Sequence, residues 1–132
     1  MTVFIDTSAL LAVMDADDES HRRADGSWRK LLASDLSLAT TNYVLVETFA
    51  LAQIRLGLDA VRSLRHDVIP VLRVIWVDAE LHEAGVTALL TAGRRRLSLV
   101  DCVSFEVMRR EGVRQALAFD RHFTEQGFAN YR

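Results

Sequence analysis

Short apolar runs rich in β-branched residues alternate along this chain with longer stretches of helical period, and that alternation restricts its fold more than any other feature. It is the pattern of βαβ units wound about a parallel sheet. Residues 3–5, Val-Phe-Ile, read as a first buried strand, followed by a helix over 8–14 and, beyond the solvated loop at 15–19, a second helix over 20–34. A strand is expected at 37–40. Asn42 is then the expected N-cap of a helix that runs to Arg55 and closes at Gly57. A further helix over 58–69 stops at Pro70, and RVIWV at 73–77 is a strand. Residues 80–92 have helical spacing with Gly93 at the end, and Ser98 caps a helix to Arg110 with Gly112 behind it. A strand at 115–119, a helical turn from Arg121 and an edge strand within 128–131 complete the series. No repeat, low-complexity tract or linker interrupts it, so one domain over 1–132 is expected.

Half of the residues are hydrophobic, 26% are charged and one is proline, which supports a buried core and excludes a disordered or collagen-like chain. Sixteen basic against eighteen acidic side chains leave a formal charge of -2, so a polyanion cannot be held by net charge and must be gripped locally. The single Cys102 has no partner for a disulfide or a zinc site, which favours a reducing compartment; the cytoplasm is the expectation. The first residues reach an acid after three apolar ones without a basic leader, and the longest apolar run, at 9–14, is far short of a membrane span. No membrane association is expected.

Four acids stand out. Asp6 and Asp120 each close an apolar strand, VFI-Asp and ALAF-Asp, and a parallel sheet brings the carboxyl ends of its strands to one edge. Helix capping is the local alternative for either of them. Glu47 shares its helix face with Tyr43, Val44, Ala50 and Leu51, with no Lys or Arg on a neighbouring turn; an unpaired buried carboxylate costs several kcal/mol, roughly, or becomes protonated. Its alternative is a helix at the protein edge. Asp101 stands three residues after Ser98, where a capping box would use it, and shares a face with Ser104 and Phe105 at a helix start.

Convergence of these acids would raise an electrostatic problem, since two like charges about 4 Å apart repel by about 4 kcal/mol at an effective dielectric of about 20. A divalent cation resolves it. All-oxygen ligation without a nearby His or Cys pattern selects Mg²⁺ or Mn²⁺ rather than zinc, partly hydrated and shared with a phosphate.

With VFIDTSALLA at the start, NYVLVETFAL in the middle, then LSLVDCVSFEVMRREG and ALAFDRHFTEQGF, the chain resembles the PIN-domain ribonucleases, most closely the VapC-type toxins of toxin–antitoxin pairs. The resemblance spans nearly the whole chain. It implies a three-layer α/β/α fold with a five-stranded parallel sheet and an acidic site that holds Mg²⁺ or Mn²⁺ for phosphodiester hydrolysis. Position by position, Asp6, Glu47, Asp101 and Asp120 match the family's acids, Thr7 or Ser8 its small hydroxyl residue, and Ser104 the polar residue a turn after the third acid. It also implies an RNA substrate such as a tRNA or rRNA loop, a cognate antitoxin and a homodimer. Within the family, a housekeeping RNA-processing nuclease or a catalytically idle interaction module is the alternative to a toxin.

Other residues carry weaker expectations. Arg94, Arg95 and Arg96 precede the Asp101 helix and either grip RNA phosphates or complement the dipole at the end of the preceding helix. Arg121 and His122 follow Asp120 and contact phosphate or lie in a solvated loop. His21, His66 and His82 lack ligand spacing and read as surface residues, while Trp28, Trp76, Phe49 and Phe119 read as core. Leu10, Leu11, Val13, Leu31 and Leu32 exceed what one small sheet can cover, as a partner surface would. Phosphatases with an Asp-x-Asp pattern need an acid where this chain has Ser8, receiver domains need a late lysine where the only lysine is Lys30, and no GxxxxGK or GxGxxG occurs.

Overall fold

The structure, a computed structural model, describes residues 1–131. Strands β1 (Thr2–Ile5), β2 (Ser37–Thr41), β3 (Arg73–Ile75), β4 (Gln115–Leu117) and β5 (Ala129–Asn130) form an all-parallel sheet in the order β3-β2-β1-β4-β5. The crossovers are made by α1 (Thr7–Met14), α2 (His21–Leu32), α3 (Asn42–Leu56), α4 (Leu58–Ser63), α5 (Ala79–Ala92), α6 (Leu99–Glu111) and α7 (His122–Glu125). The chain steps from β1 outward to β3, then returns to the far side of β1 for β4 and β5. With right-handed crossovers that reversal sends the earlier helices over one face and the later ones over the other, which gives the expected α/β/α layers. It also opens a crevice beyond the carboxyl ends of β1 and β4, where the order reverses.

Val3, Phe4 and Ile5 are all fully buried because both faces of the sheet are covered, so β1 is a continuous apolar run rather than an alternating one. Phe4 meets Phe123 of α7 with ring centroids 6.1 Å apart, and Phe123 meets Phe105 of α6 edge-on at 5.0 Å. On the other helices the 3.6-residue period works as usual: α2 buries Ala24, Trp28 and Leu31. Helices α5 and α6 approach closely at Gly85, where an added Cβ would collide with Val103 Cγ2.

Several boundaries differ from expectation for identifiable reasons. Thr41, not Asn42, caps α3, its hydroxyl accepting from Val44 N at 3.1 Å; Asn42 instead accepts from Val77 N at 2.7 Å and ties the chain beyond β3 to α3. The helix expected over 58–69 is α-helical only to Ser63, widens to a π-helical turn over Leu64–Val68 and tightens to a 3₁₀ turn over Ile69–Val71, where Pro70 cannot supply an amide donor. Strand β4 stops at Leu117 because Phe119 N donates to Ser8 Oγ rather than to a neighbouring strand.

The early helices carry no apolar surplus: Leu10, Leu11 and Leu31 are core, Val13 is half-buried, and only Leu32 is exposed. Exposed apolar side chains lie instead at Val46, Ile54, Leu58, Trp76 and Leu90; Trp76, expected in the core, is 73% exposed. His21 and His82 are half-buried and bonded, to Ala12 O at 2.7 Å and to Tyr43 Oη at 2.6 Å, rather than free on the surface. No described helix is long and apolar enough to cross a membrane.

Because Val103 is β-branched, buried and stiff, it cannot turn away from a new methyl group on α5. Gly85→Ala should therefore destabilise the fold by about 1–3 kcal/mol despite the better helix propensity of alanine. A lowered urea midpoint at unchanged slope is the expected result.

Candidate active site

Each acid reaches the crevice by a different local device. Asp6 ends β1 with extended backbone and caps α1: its Oδ2 accepts from Ser8 N at 3.2 Å and from Ser8 Oγ at 2.7 Å. Ser8 Oγ in turn accepts from Phe119 N at 2.9 Å, and Asp6 N donates to Leu117 O, so one hydroxyl clips the end of β1 to the chain that leaves β4. Asp101 completes the capping box of α6, its Oδ2 accepting from Ser98 N at 3.2 Å. Asp120 lies three residues beyond β4, not at its last residue, and its Oδ1 accepts from His122 N at 3.0 Å. Capping and site formation are thus compatible, because each aspartate commits one oxygen to its own turn and no hydrogen bond engages the other among the described residues.

Asp6, Glu47, Asp101 and Asp120 line one cleft of about 450 Å³, with Asp18 and Glu19 at its rim. Glu47 is half-buried in the middle of α3 and makes no hydrogen bond or ion pair among the described residues. Ion pairs of the described residues involve none of the four. Burial pushes the Asp6 carboxyl up to about 7; the bonds from Ser8 oppose this, and the charges of Asp120 and Asp101 add to it. Burial also raises Asp101, with Asp120 contributing and the Ser98 amide opposing. Cys102, beside it, is raised by burial and by the Asp101 charge and is a core thiol.

The four acids do not form the tight cluster expected of them: among the described residues no three His, Cys, Asp or Glu side chains are placed together to hold a metal ion. They stand around an open cleft with one uncommitted oxygen on each aspartate. That donor set fits a hard cation that keeps several waters and binds through one or two carboxylates plus a substrate phosphate, as Mg²⁺ does.

The supporting residues divide. Ser8 touches Asp6; Thr7 also lines the cleft, with its hydroxyl directed to Val44 O at 3.5 Å. Ser104 is fully buried, bonds Val100 O within its own helix at 2.8 Å, and does not line the cleft. Arg94, Arg95 and Arg96 follow the end of α5 at Gly93 as an exposed loop rather than forming its last turn. Arg94 and Arg96 join Arg121 in a second cleft of about 760 Å³ that shares Phe119, Asp120 and His122 with the acidic one, and Arg94 pairs with Glu125 at 3.3 Å. His122 Nδ1 is buried without a hydrogen bond, 3.9 Å from Glu125 Oε1. Arg55, Asp18 and Glu19 line the acidic cleft without having been anticipated; Arg55 had a signal, since positions 47, 51 and 55 share one face of α3.

With the fold and cleft defined, comparison with known proteins is informative. The family model described as the PIN domain matches residues 3–129. The 23S rRNA-specific endonuclease VapC20 of Mycobacterium tuberculosis is 37% identical over 132 residues, covering 98% of each chain. The crystal structure of M. tuberculosis VapC20, described as a sarcin-ricin loop cleaving toxin, superposes with a TM-score of 0.87 at 34% identity over 96% of each chain. VapBC2 of Rickettsia felis, bound to a DNA fragment from its promoter, has the same fold at a TM-score of 0.70 and 14% identity, covering 98% of this chain and 97% of that one.

A carboxyl raised from 3.8 to about 7 on folding penalises the native state once ionised. Stability that is present below about pH 4 is therefore lost as pH rises towards 7. Asp6→Asn keeps the cap but does not titrate. Its stability relative to the parent, measured in metal-free buffer, should rise between about pH 4 and 7 by up to about 4 kcal/mol and then level off. A pH-independent difference would contradict this account of Asp6.

Proposed function

The chain belongs to the PIN-domain family, and from that premise we propose that it is a metal-dependent endoribonuclease, the toxin of a toxin–antitoxin pair. The observation that carries this reading is the buried Asp6 carboxyl, raised by burial and by the charges of Asp120 and Asp101, in a cleft where no described cation is paired with any of the three. Asp6, Asp101 and Asp120 would hold a Mg²⁺ or Mn²⁺ ion, one or two of them directly and the rest through its waters. Such an ion, when bound, neutralises a phosphoryl oxygen and acidifies water.

The residues of the chain do the remaining work. Ser8 fixes the Asp6 carboxylate by its hydroxyl and amide, and the Ser98 amide fixes Asp101, so the acids are oriented before substrate arrives. Glu47, with no competing partner, takes the proton from the attacking water and orients it in line with the scissile bond. Arg55 on the same wall offers a guanidinium to a phosphate oxygen. Attack by that water breaks the P–O3′ bond, the departing 3′-oxygen takes a proton from solvent, and the ends left are 5′-phosphate and 3′-hydroxyl.

Full-length similarity to a 23S rRNA-specific endonuclease supports a structured rRNA loop as substrate. The same similarity supports a cognate antitoxin as partner and the cytoplasm as the working compartment. A homodimer is supported by the apolar side chains that α3 leaves exposed at Val46 and Ile54.

Glu47→Gln keeps size and helix propensity, so it should reduce cleavage of purified ribosomal RNA by at least roughly a hundredfold, the usual scale of a lost general base, without lowering Tm. EDTA should abolish parental cleavage and Mg²⁺ or Mn²⁺ should restore it, with end-mapping giving 5′-phosphates; cutting that survives EDTA or leaves cyclic phosphates would overturn the mechanism. Expression of the parent alone should arrest growth of its host and Glu47→Gln should not, whereas a housekeeping nuclease would arrest growth in neither case.

A further inference from the structure

The acidic cleft repels the polyanion it is proposed to cut, so the substrate must be held by cations beside it. On one side these are Arg94, Arg96 and Arg121. On the other, a cleft of about 590 Å³ runs between α2 and the segment at β5, lined by Arg22, Arg23 and Lys30 and by no acidic side chain among the described residues. Phe119 lines all three clefts and is the residue they share. Arg23 lies over that ring at 5.4 Å, and the Phe119 amide is held by the same Ser8 hydroxyl that holds Asp6.

We propose that the α2 cleft is a second RNA-backbone site, in which Arg22 and Arg23 carry the strand to the acidic cleft and Phe119 stacks a base at the junction. This rests on the nuclease reading and extends it to how the substrate is held. Positions 22, 23, 26 and 30 share one face of α2 and span about 12 Å along its axis. Arg22 and Arg23 are exposed and take part in none of the ion pairs of the described residues. A second observation supports a ligand here. Gly26 sits in the middle of this basic face, where glycine weakens a helix by about 1 kcal/mol relative to alanine. Neither a positive φ nor a close neighbour requires it, because an added Cβ would meet nothing within 4 Å. What the glycine leaves open is the floor of the cleft, where a sugar-phosphate backbone can approach the helix.

The test measures binding of a fluorescein-labelled 20-nucleotide single-stranded RNA in the Glu47→Gln background at 50–200 mM salt, and cleavage of the same RNA in the active background. Removing two phosphate contacts with Arg22→Ala/Arg23→Ala should flatten the log–log salt dependence by about 1.4, so that the parent loses about sevenfold more affinity than the variant across that range. In the active background KM should rise with kcat retained. Gly26→Leu, which keeps every charge and improves helix propensity, should weaken binding several-fold without lowering Tm. Unchanged affinity and salt slope in both variants would overturn the site, as would variants that lose only an antitoxin while binding RNA normally. If the parent cuts RNA and these variants match it, the α2 site falls and the nuclease reading stands. If the parent binds RNA through Arg22 and Arg23 but does not cut, the reverse holds; if it neither binds nor cuts, both fall.

Discussion

The structure turns on repulsion among carboxylates that its topology gathers at one edge of the sheet. The return of the chain across β1 places the ends of β1 and β4 side by side, and α3 and α6 add their acids from above. Each additional charge makes the next harder to ionise, which is why burial and two neighbours together lift Asp6 to about 7. Short-range hydrogen bonds hold the arrangement against this repulsion. Ser8 spends two donors and the Ser98 and His122 amides one each on a single aspartate oxygen, and those bonds also shape the helix starts and the turn after β4.

Most of the fold was legible because its signals are local: the strand runs, the Gly57, Gly93 and Gly112 stops and the Ser98 cap all lie in the chain where periodicity and capping chemistry place them. What was not legible depended on contacts between distant segments. Asn42 has the chemistry of a cap but is taken by Val77, thirty-five residues away, and Phe119 leaves its strand for Ser8. Likewise the apolar residues of α1 and α2 looked surplus only because the depth of the core beneath them is a property of the assembled layers.

The candidate site was legible in its acids and not in its surroundings. Treating a capping role and a functional role as rivals for Asp6 and Asp101 was a false choice, since a carboxylate has two oxygens and a cap uses one. The Ser104 hydroxyl shows the opposite outcome. It is satisfied by a main-chain carbonyl, which no spacing rule distinguishes from a hydroxyl turned to a ligand. Phe119 has the pattern of a core residue and Arg55 that of a solvated one, and only the wall facing each across space makes them part of the cleft.

The sheet ends in strands of three residues at β3 and two at β5. Edges so short present too few free amides and carbonyls to template another strand, so fibre-like growth by β-augmentation has no foothold on this molecule. A companion chain would therefore meet helices and loops, whose side chains can discriminate between partners in a way that a bare ladder of main-chain groups cannot.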